Sequence, residues 1–358
     1  MSRTHLATAI VLCFFGIGAA GAQDFGPWSD PQRVDAIDTE AAEGCPIEAP
    51  DGLSLYFASN RAAVDALGKQ DIWRAFRATV QSPWGAAENL GAPVNTPEFD
   101  YCPTPLAGGG LLFVSSQQTA DDCYPGDTPP PPPTGGPSAG DIFSSREDPA
   151  NVWSAPANLG CYPNGPNTAG AEFSPSRVQT AEGTFLFFSS NGYPDSESQD
   201  IYMSEMLDDG TVTAGVRVAE LSTSADDRMP NVRADGLEIV FSSNRAGGTA
   251  FDQDIYVATR ATTHSAWSAP QRIDGPAINT TASETRASLS GDGTRLYFGR
   301  KANVDDPGDV FVATRARVAP TATALPTPAL GAPMLALLAA LLAGVAWFSR
   351  GFARMPKP

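Results

Sequence analysis

Histidine is almost missing from this chain: 358 residues contain two, His5 and His264. His5 falls in an N-terminal leader, so a Ser-His-Asp or Cys-His nucleophile would have His264 alone to draw on, which leaves that chemistry without a base. Basic residues are also few, 23 Lys and Arg against 40 Asp and Glu, for a formal charge of -17. Setting aside Arg3 near the start and Arg350, Arg354 and Lys357 near the end leaves 19 basic residues against the same 40 acidic ones, or -21. Such a surface suits solubility outside the cell and repels nucleic acid. No Cys-x-x-Cys pair occurs, so the usual zinc spacing is absent. Helix-period patterning is confined to the two ends. Gly247-Gly248 reads as a loop turn and lacks the strand-to-helix setting of a phosphate cradle.

Turn-forming residues are abundant, with 34 Gly and 32 Pro, and they punctuate a repeat. The clearest copy runs from Asp227 through Asp235-Gly236 and Ile239-Val240-Phe241 to Asp254-Ile255-Tyr256. Asp-Gly between two β-branched or aromatic runs is a strong hairpin signal, because the central positions of a tight hairpin favour positive φ. Equivalent turns are Asp51-Gly52, Gly108-Gly109, Glu182-Gly183 and Asp292-Gly293. Third strands open at Asp71, Asp141, Asp200, Asp254 and Asp309, and a fourth strand follows about a dozen residues later. The turn glycines lie 57, 74, 53 and 57 residues apart. Four strands at that period predict an all-β, five-bladed propeller of four-stranded antiparallel blades.

Closure is also legible. Trp28-Ser29-Asp30-Pro31-Gln32-Arg33 nearly duplicates Trp267-Ser268-Ala269-Pro270-Gln271-Arg272, and no such segment follows Asp309. The first copy is therefore expected to supply the outer strand of the last blade, so that no sheet edge stays open.

The pattern acid-x-x-Pro, Asp-Gly, Leu-Tyr-Phe-x-Ser-x-Arg, Gly-Gly, Asp-Ile-Tyr resembles the TolB-type (WD40-like) propeller repeat, over roughly residues 26–317. That resemblance implies a fold found in exported envelope proteins and says little about function, since such propellers bind proteins, glycans or peptides and some host enzymes.

The ends read as addresses. Residues 1–22 have a basic start, an apolar run and Ala20-Gly21-Ala22, the form of a secretory signal peptide. Leu12 before Cys13 is too large for lipoprotein processing. The propeller is expected over 23–317, a Pro/Thr/Ala linker over 318–329, a membrane-spanning or sorting helix over 330–348, and a basic cytoplasmic tail over 349–358. Leu325-Pro326-Thr327, the apolar span and the basic end resemble the C-terminal protein-sorting tails of Gram-negative bacteria, nearest the Ile-Pro-Thr-Leu type. The expected location is the cell envelope: anchored in the inner membrane facing the periplasm, or sorted to the surface or secreted after a sorting protease removes the tail.

Four cysteines remain beyond the leader, Cys45, Cys102, Cys123 and Cys161. An even number in an exported chain favours disulfides. Of the three pairings, Cys45–Cys102 and Cys123–Cys161 are favoured: the first two share one slot on neighbouring inner strands, and the second two flank a Pro-rich insertion at Pro129–Pro133. Five successive prolines hold polyproline II and cannot join a ladder.

A carboxylate precedes the same inner-strand slot by two positions in every unit: Glu43, Asp100, Glu172, Asp227 and Glu284. Together they would ring one mouth of the channel. Three uses compete for them: capping backbone N–H groups at the blade junctions, holding a cation, and acid–base catalysis of glycoside hydrolysis. Repetition in all five units favours the first. The third-strand aspartates are expected to hold the loops before them. Ca²⁺ is the one cofactor the acidic loops at Asp195-Ser196-Glu197 and Asp305-Asp306 suggest, without EF-hand spacing. The leading expectation is a non-enzymatic scaffold that binds a protein or glycan. The alternative is a glycoside hydrolase using the inner-strand carboxylates.

Overall fold

The computed structural model describes residues 25–117, 123, 140–247, 252–273 and 277–318. The turns show why Asp-Gly recurs. Gly236 and Gly293 adopt φ +73° and +71°, a region glycine enters without steric cost. The aspartates before them do not. Instead the carboxylates of Asp51, Asp235 and Asp292 each accept the backbone N–H two residues on, from Leu53 (2.9 Å), Leu237 (3.0 Å) and Thr294 (3.0 Å). The N–H of each turn glycine closes on the carbonyl three residues back, Gly236 on Arg233 at 2.8 Å. These are four-residue turns ending in a left-handed glycine, rather than two-residue hairpins with both central residues left-handed.

Twenty strands form five four-stranded antiparallel sheets. Blade 1 is β2 (Glu43–Glu48), β3 (Ser54–Ser59), β4 (Asp71–Phe76) and β5 (Glu88–Asn89). Blade 2 is β6 (Asp100–Leu106), β7 (Gly110–Ser115), β8 (Asp141–Arg146) and β9 (Ala157–Asn158). Blade 3 is β10 (Glu172–Gln179), β11 (Thr184–Ser190), β12 (Asp200–Met206) and β13 (Val216–Arg217). Blade 4 is β14 (Asp227–Val232), β15 (Glu238–Ser243), β16 (Asp254–Thr259) and β17 (Gln271–Arg272). Blade 5 joins β18 (Ser283–Leu289), β19 (Arg295–Lys301) and β20 (Asp309–Thr314) to β1 (Gln32–Arg33), the first strand of the chain.

The expected closure is present. Gln32 pairs with Val312 and Arg33 with Phe311, and the Ser29 N–H donates to the Thr314 carbonyl at 2.7 Å. Trp28 is buried between blades 4 and 5, beside Val240, Ile255 and Leu296. The Arg315 guanidinium stacks on Trp28 at 4.3 Å, as Arg77 stacks on Trp84 and Arg260 on Trp267 in blades 1 and 4. Blade 3 carries buried Val212 where the others carry tryptophan.

The core is five apolar layers, each between two neighbouring sheets. Ile47, Tyr56, Leu111 and Phe113 join blades 1 and 2, while Leu55, Phe57, Tyr297 and Val310 join blades 1 and 5. Second strands lie between two such layers, which is why β3, β7 and β15 are buried along their whole length. Blade 5 is also clamped electrostatically on both flanks. Buried Glu48 of blade 1 accepts from Arg77, from both ends of the Arg295 guanidinium and from the Tyr297 hydroxyl. Buried Glu238 of blade 4 accepts from Arg233 and, at 2.9 and 2.7 Å, from Arg315. Each carboxylate thus pairs two guanidiniums from two blades.

No helix among the described residues is long and apolar enough to cross a membrane. The span expected at 330–348, the signal peptide at 1–22 and the Pro129–Pro133 run lie outside the described residues.

If Trp28 is the latch, Trp28→Ala lowers unfolding free energy by about 3–5 kcal/mol. Trp84→Ala, on the half-buried tryptophan of blade 1, costs clearly less. Glu238→Gln strands two buried guanidiniums and costs about 3 kcal/mol or more. Urea denaturation of the three variants checks both statements.

Candidate functional site

All five inner-strand carboxylates lie at the start of their strands, buried. Each accepts the same pair of bonds, from the backbone N–H and the hydroxyl of a threonine four residues earlier. The donors are Thr39 to Glu43 (3.0 and 2.7 Å), Thr96 to Asp100 (2.6 and 2.8 Å), Thr168 to Glu172 (3.1 and 2.6 Å), Thr223 to Asp227 (2.7 Å each) and Thr280 to Glu284 (3.1 and 2.6 Å). The threonines sit in the crossovers from one blade's outer strand to the next inner strand, so every carboxylate ties down a blade junction. Thr-x-x-x-Asp/Glu stands in all five units and was the signal available for this contact.

Beyond the threonine the five diverge. Glu43 is paired with Arg61 (2.9 Å), Asp227 with Arg245 (2.6 Å) and Glu284 with Arg300 (2.9 Å). Asp100 and Glu172, on adjacent blades, have no arginine. Gln117 stands in blade 2 and Gly192 in blade 3 where blades 1 and 4 have Arg61 and Arg245. In blade 3 a side chain is sterically excluded: a Cβ on Gly192 would lie 1.9 Å from the Thr168 hydroxyl and 2.6 Å from the Gly170 nitrogen.

The charge states follow. Burial pushes Asp100 up to about 6 despite the donors on Ser115 and Thr96. Burial pushes Glu172 further, to about 8, against the Ser190 and Thr168 hydroxyls, with the nearby Asp141 charge adding to the rise. Glu284 is also raised by burial, but the Thr280 donors and Arg300 oppose it. At neutral pH Glu172 therefore keeps its proton while Asp100 is ionised, and two like groups with separated protonation states are the raw material of acid–base chemistry.

The other candidates go elsewhere. Asp71 accepts the N–H groups of Leu67 and Gly68 and the Asn89 amide. Asp141 accepts from Cys123 N–H and Asn158, and Asp200 from Glu197 N–H and Arg217. Asp254 and Asp309 instead face the outer-strand arginines Arg272 and Arg33. Asp195 accepts the Tyr202 hydroxyl, and Asp306 the N–H groups of Ala302 and Gly308. Among the described residues no group of three or more His, Cys, Asp or Glu side chains is placed to hold a metal ion. His264 is exposed and pairs with Glu182 at 2.8 Å. Cys123 and Cys161 are disulfide-bonded, whereas Cys45 and Cys102 are free thiols.

Surface cavities of about 680 and 360 Å³ open among the described residues, and neither of these is lined by any of the five carboxylates.

No family model matches the sequence, and no curated protein matches it. Solved structures share the fold. An α-L-arabinofuranosidase from Lactobacillus brevis is 14% identical, with a TM-score of 0.52 over 79% of this chain and 94% of that one. A thermostable family-43 glycoside hydrolase is 13% identical, with a TM-score of 0.51 over 80% and 93%. The five-bladed propeller stands. The structures found alike are glycoside hydrolase propellers and not TolB-type ones, and at this identity they show the fold alone. The same finding runs against the non-enzymatic binding scaffold as the leading expectation: the chains of this architecture, matched over nearly their whole length, are glycoside hydrolases.

A carboxylic acid whose folded value is raised stabilises the fold most below its unfolded value, and that contribution is lost as pH rises through the folded value. Wild-type protein should therefore lose thermal stability between about pH 5 and pH 8.5 as Glu172 is forced to ionise. Glu172→Gln should flatten that slope, and melting curves across the range test it.

Proposed function

We propose that this protein is a carbohydrate-active enzyme that hydrolyses glycosidic bonds, with Glu172 and Asp100 as its acid–base pair. The observation that carries the reading is the break in fivefold symmetry. Three rim carboxylates are neutralised by arginine, and the two that are not stand on the neighbouring strands β10 and β6. A rim used only as scaffold has no need to differ from blade to blade. That the two fold neighbours are glycoside hydrolases supports the same reaction class.

In this reading Glu172 donates its proton to the leaving glycosidic oxygen. Asp100, as carboxylate, takes a proton from the attacking water. Both side chains are fully buried, so substrate reaches them when the crossovers carrying Thr96 and Thr168 swing away.

The test is turnover by the full chain on aryl α-L-arabinofuranosides and arabinan. Activity should rise as Asp100 ionises near pH 6 and fall as Glu172 deprotonates near pH 8. Glu172→Gln and Asp100→Asn should each lower kcat by about 10²–10⁴ with the melting profile otherwise retained, while Glu43→Gln should chiefly lower stability. No turnover by wild type, or full turnover by both amide variants, would overturn the assignment.

A further inference from the structure

One level below the rim, the inner strands share a second feature. Cys45, Cys102, Ser174, Met229 and Arg286 occupy one slot in the five units and all adopt left-handed backbone, φ between 51° and 58°. The ladder to the second strand shifts at this point in every blade. In four units the next residue is proline, which has no N–H to give the ladder.

Three of these residues come together with unlike chemistry. The sulfurs of Cys45 and Cys102 are 2.7 Å apart, and the Ser174 hydroxyl reaches Cys102 Sγ at 3.3 Å. Arg286 is 2% exposed; its Nη2 donates to the Pro103 carbonyl at 3.3 Å, from blade 5 to blade 2. Its Nε and Nη1 are buried without a hydrogen-bond partner, and it has no salt bridge to a carboxylate among the described residues. A desolvated guanidinium in that position needs a counter-charge. Burial raises Cys102, but the hydrogen bond from Cys45, the Arg286 charge and the Ser174 hydroxyl outweigh it and bring the thiol down to about 6. The contact with Cys102, followed by desolvation, pushes the Cys45 thiol up.

We propose that Cys45 and Cys102 are a redox-active dithiol at the propeller axis, oxidised by low-molecular-weight disulfides, with Arg286 as the counter-charge that holds Cys102 as thiolate. Cys45 is half-buried and Cys102 fully buried, which assigns the steps. Cys45 sulfur, on losing its proton, attacks one sulfur of the incoming disulfide, forming a mixed disulfide and expelling one thiolate. Cys102 thiolate then attacks Cys45 Sγ, closing the intramolecular bond and expelling the second. Two electrons pass to the small disulfide, which leaves as one thiol carrying the Cys45 proton and one thiolate that takes its proton from solvent. The product ties β2 to β6 and leaves the guanidinium without its anion.

The experiment uses the reduced full chain and oxidised glutathione, with peptide mass mapping of Cys45 and Cys102. Wild type should lose both thiols together and form the Cys45–Cys102 cross-link. Cys102→Ser should stop at one glutathione on Cys45. Arg286→Met should slow closure about tenfold at neutral pH, through the lost thiolate fraction, while Arg286→Lys closes at nearly the wild-type rate. Should Arg286→Met fail to fold, Ser174→Ala gives the same reading, with closure slowed several-fold. Persistence of both thiols in wild type at any glutathione ratio would overturn the dithiol, and equal closure rates in wild type, Arg286→Met and Ser174→Ala would overturn the thiolate and its counter-charge.

Discussion

The pairing of β1 with β20 is the constraint on which everything else rests. A ring of face-packed sheets leaves an apolar face uncovered at each end until its ends meet, and β20 without β1 is a row of unpaired backbone groups. Here the ladder proper is two residues long, flanked by backbone bonds from Gly26 to Ala316, Ser29 to Thr314 and Val34 to Val310. Trp28 packed into the blade 4–5 layer, the Arg315 stack upon it, and the Glu48 and Glu238 clamps on either flank add the strength the short ladder lacks. Because blade 5 is fixed on both sides, the five inner strands are brought round a common axis, and the rim carboxylates and the slot beneath them acquire defined neighbours.

Scarce basic residues are placed where burial makes them count. Arg61, Arg245 and Arg300 neutralise rim carboxylates that are fully desolvated, and Arg77, Arg295, Arg233 and Arg315 surround two buried glutamates. An exposed pair would contribute little, whereas a buried carboxylate without its cation either shifts its protonation or destabilises the fold. Asp100 and Glu172 shift. That difference between blades separates two chemically distinct sites from a ring that is otherwise a repeated structural device.

Much of this was legible before any coordinates. Turn pairs, strand order and the duplicated Trp-Ser-x-Pro-Gln-Arg segment gave five blades and the place of their join, because period and pattern are local properties. The rim carboxylates were also visible as a repeated acid. What they touch was less so, although Thr-x-x-x-Asp/Glu recurs in every unit. The functional contrast turned on absences, Gln117 and Gly192 in place of arginine, and an absence acquires meaning only when the partner it strands is known to be buried. Arg286 stands in the slot that holds cysteine, serine or methionine in the other units. That its guanidinium crosses the axis to the Pro103 carbonyl is a contact 183 residues apart in sequence, which no local pattern encodes.

The latch also dictates an order of assembly. Ser29 and Thr314, which hydrogen-bond across the join, are 285 residues apart. Blades 1 to 4 are each continuous in sequence and can pair their strands as they emerge, but the outer strand of blade 5 is made first and used last. Until β20 exists, β1 has no strand to pair with, and closing so long a span must await the rest of the ring. Closure therefore comes late, and a chain interrupted before Asp309 would lack the strand on which β1 pairs.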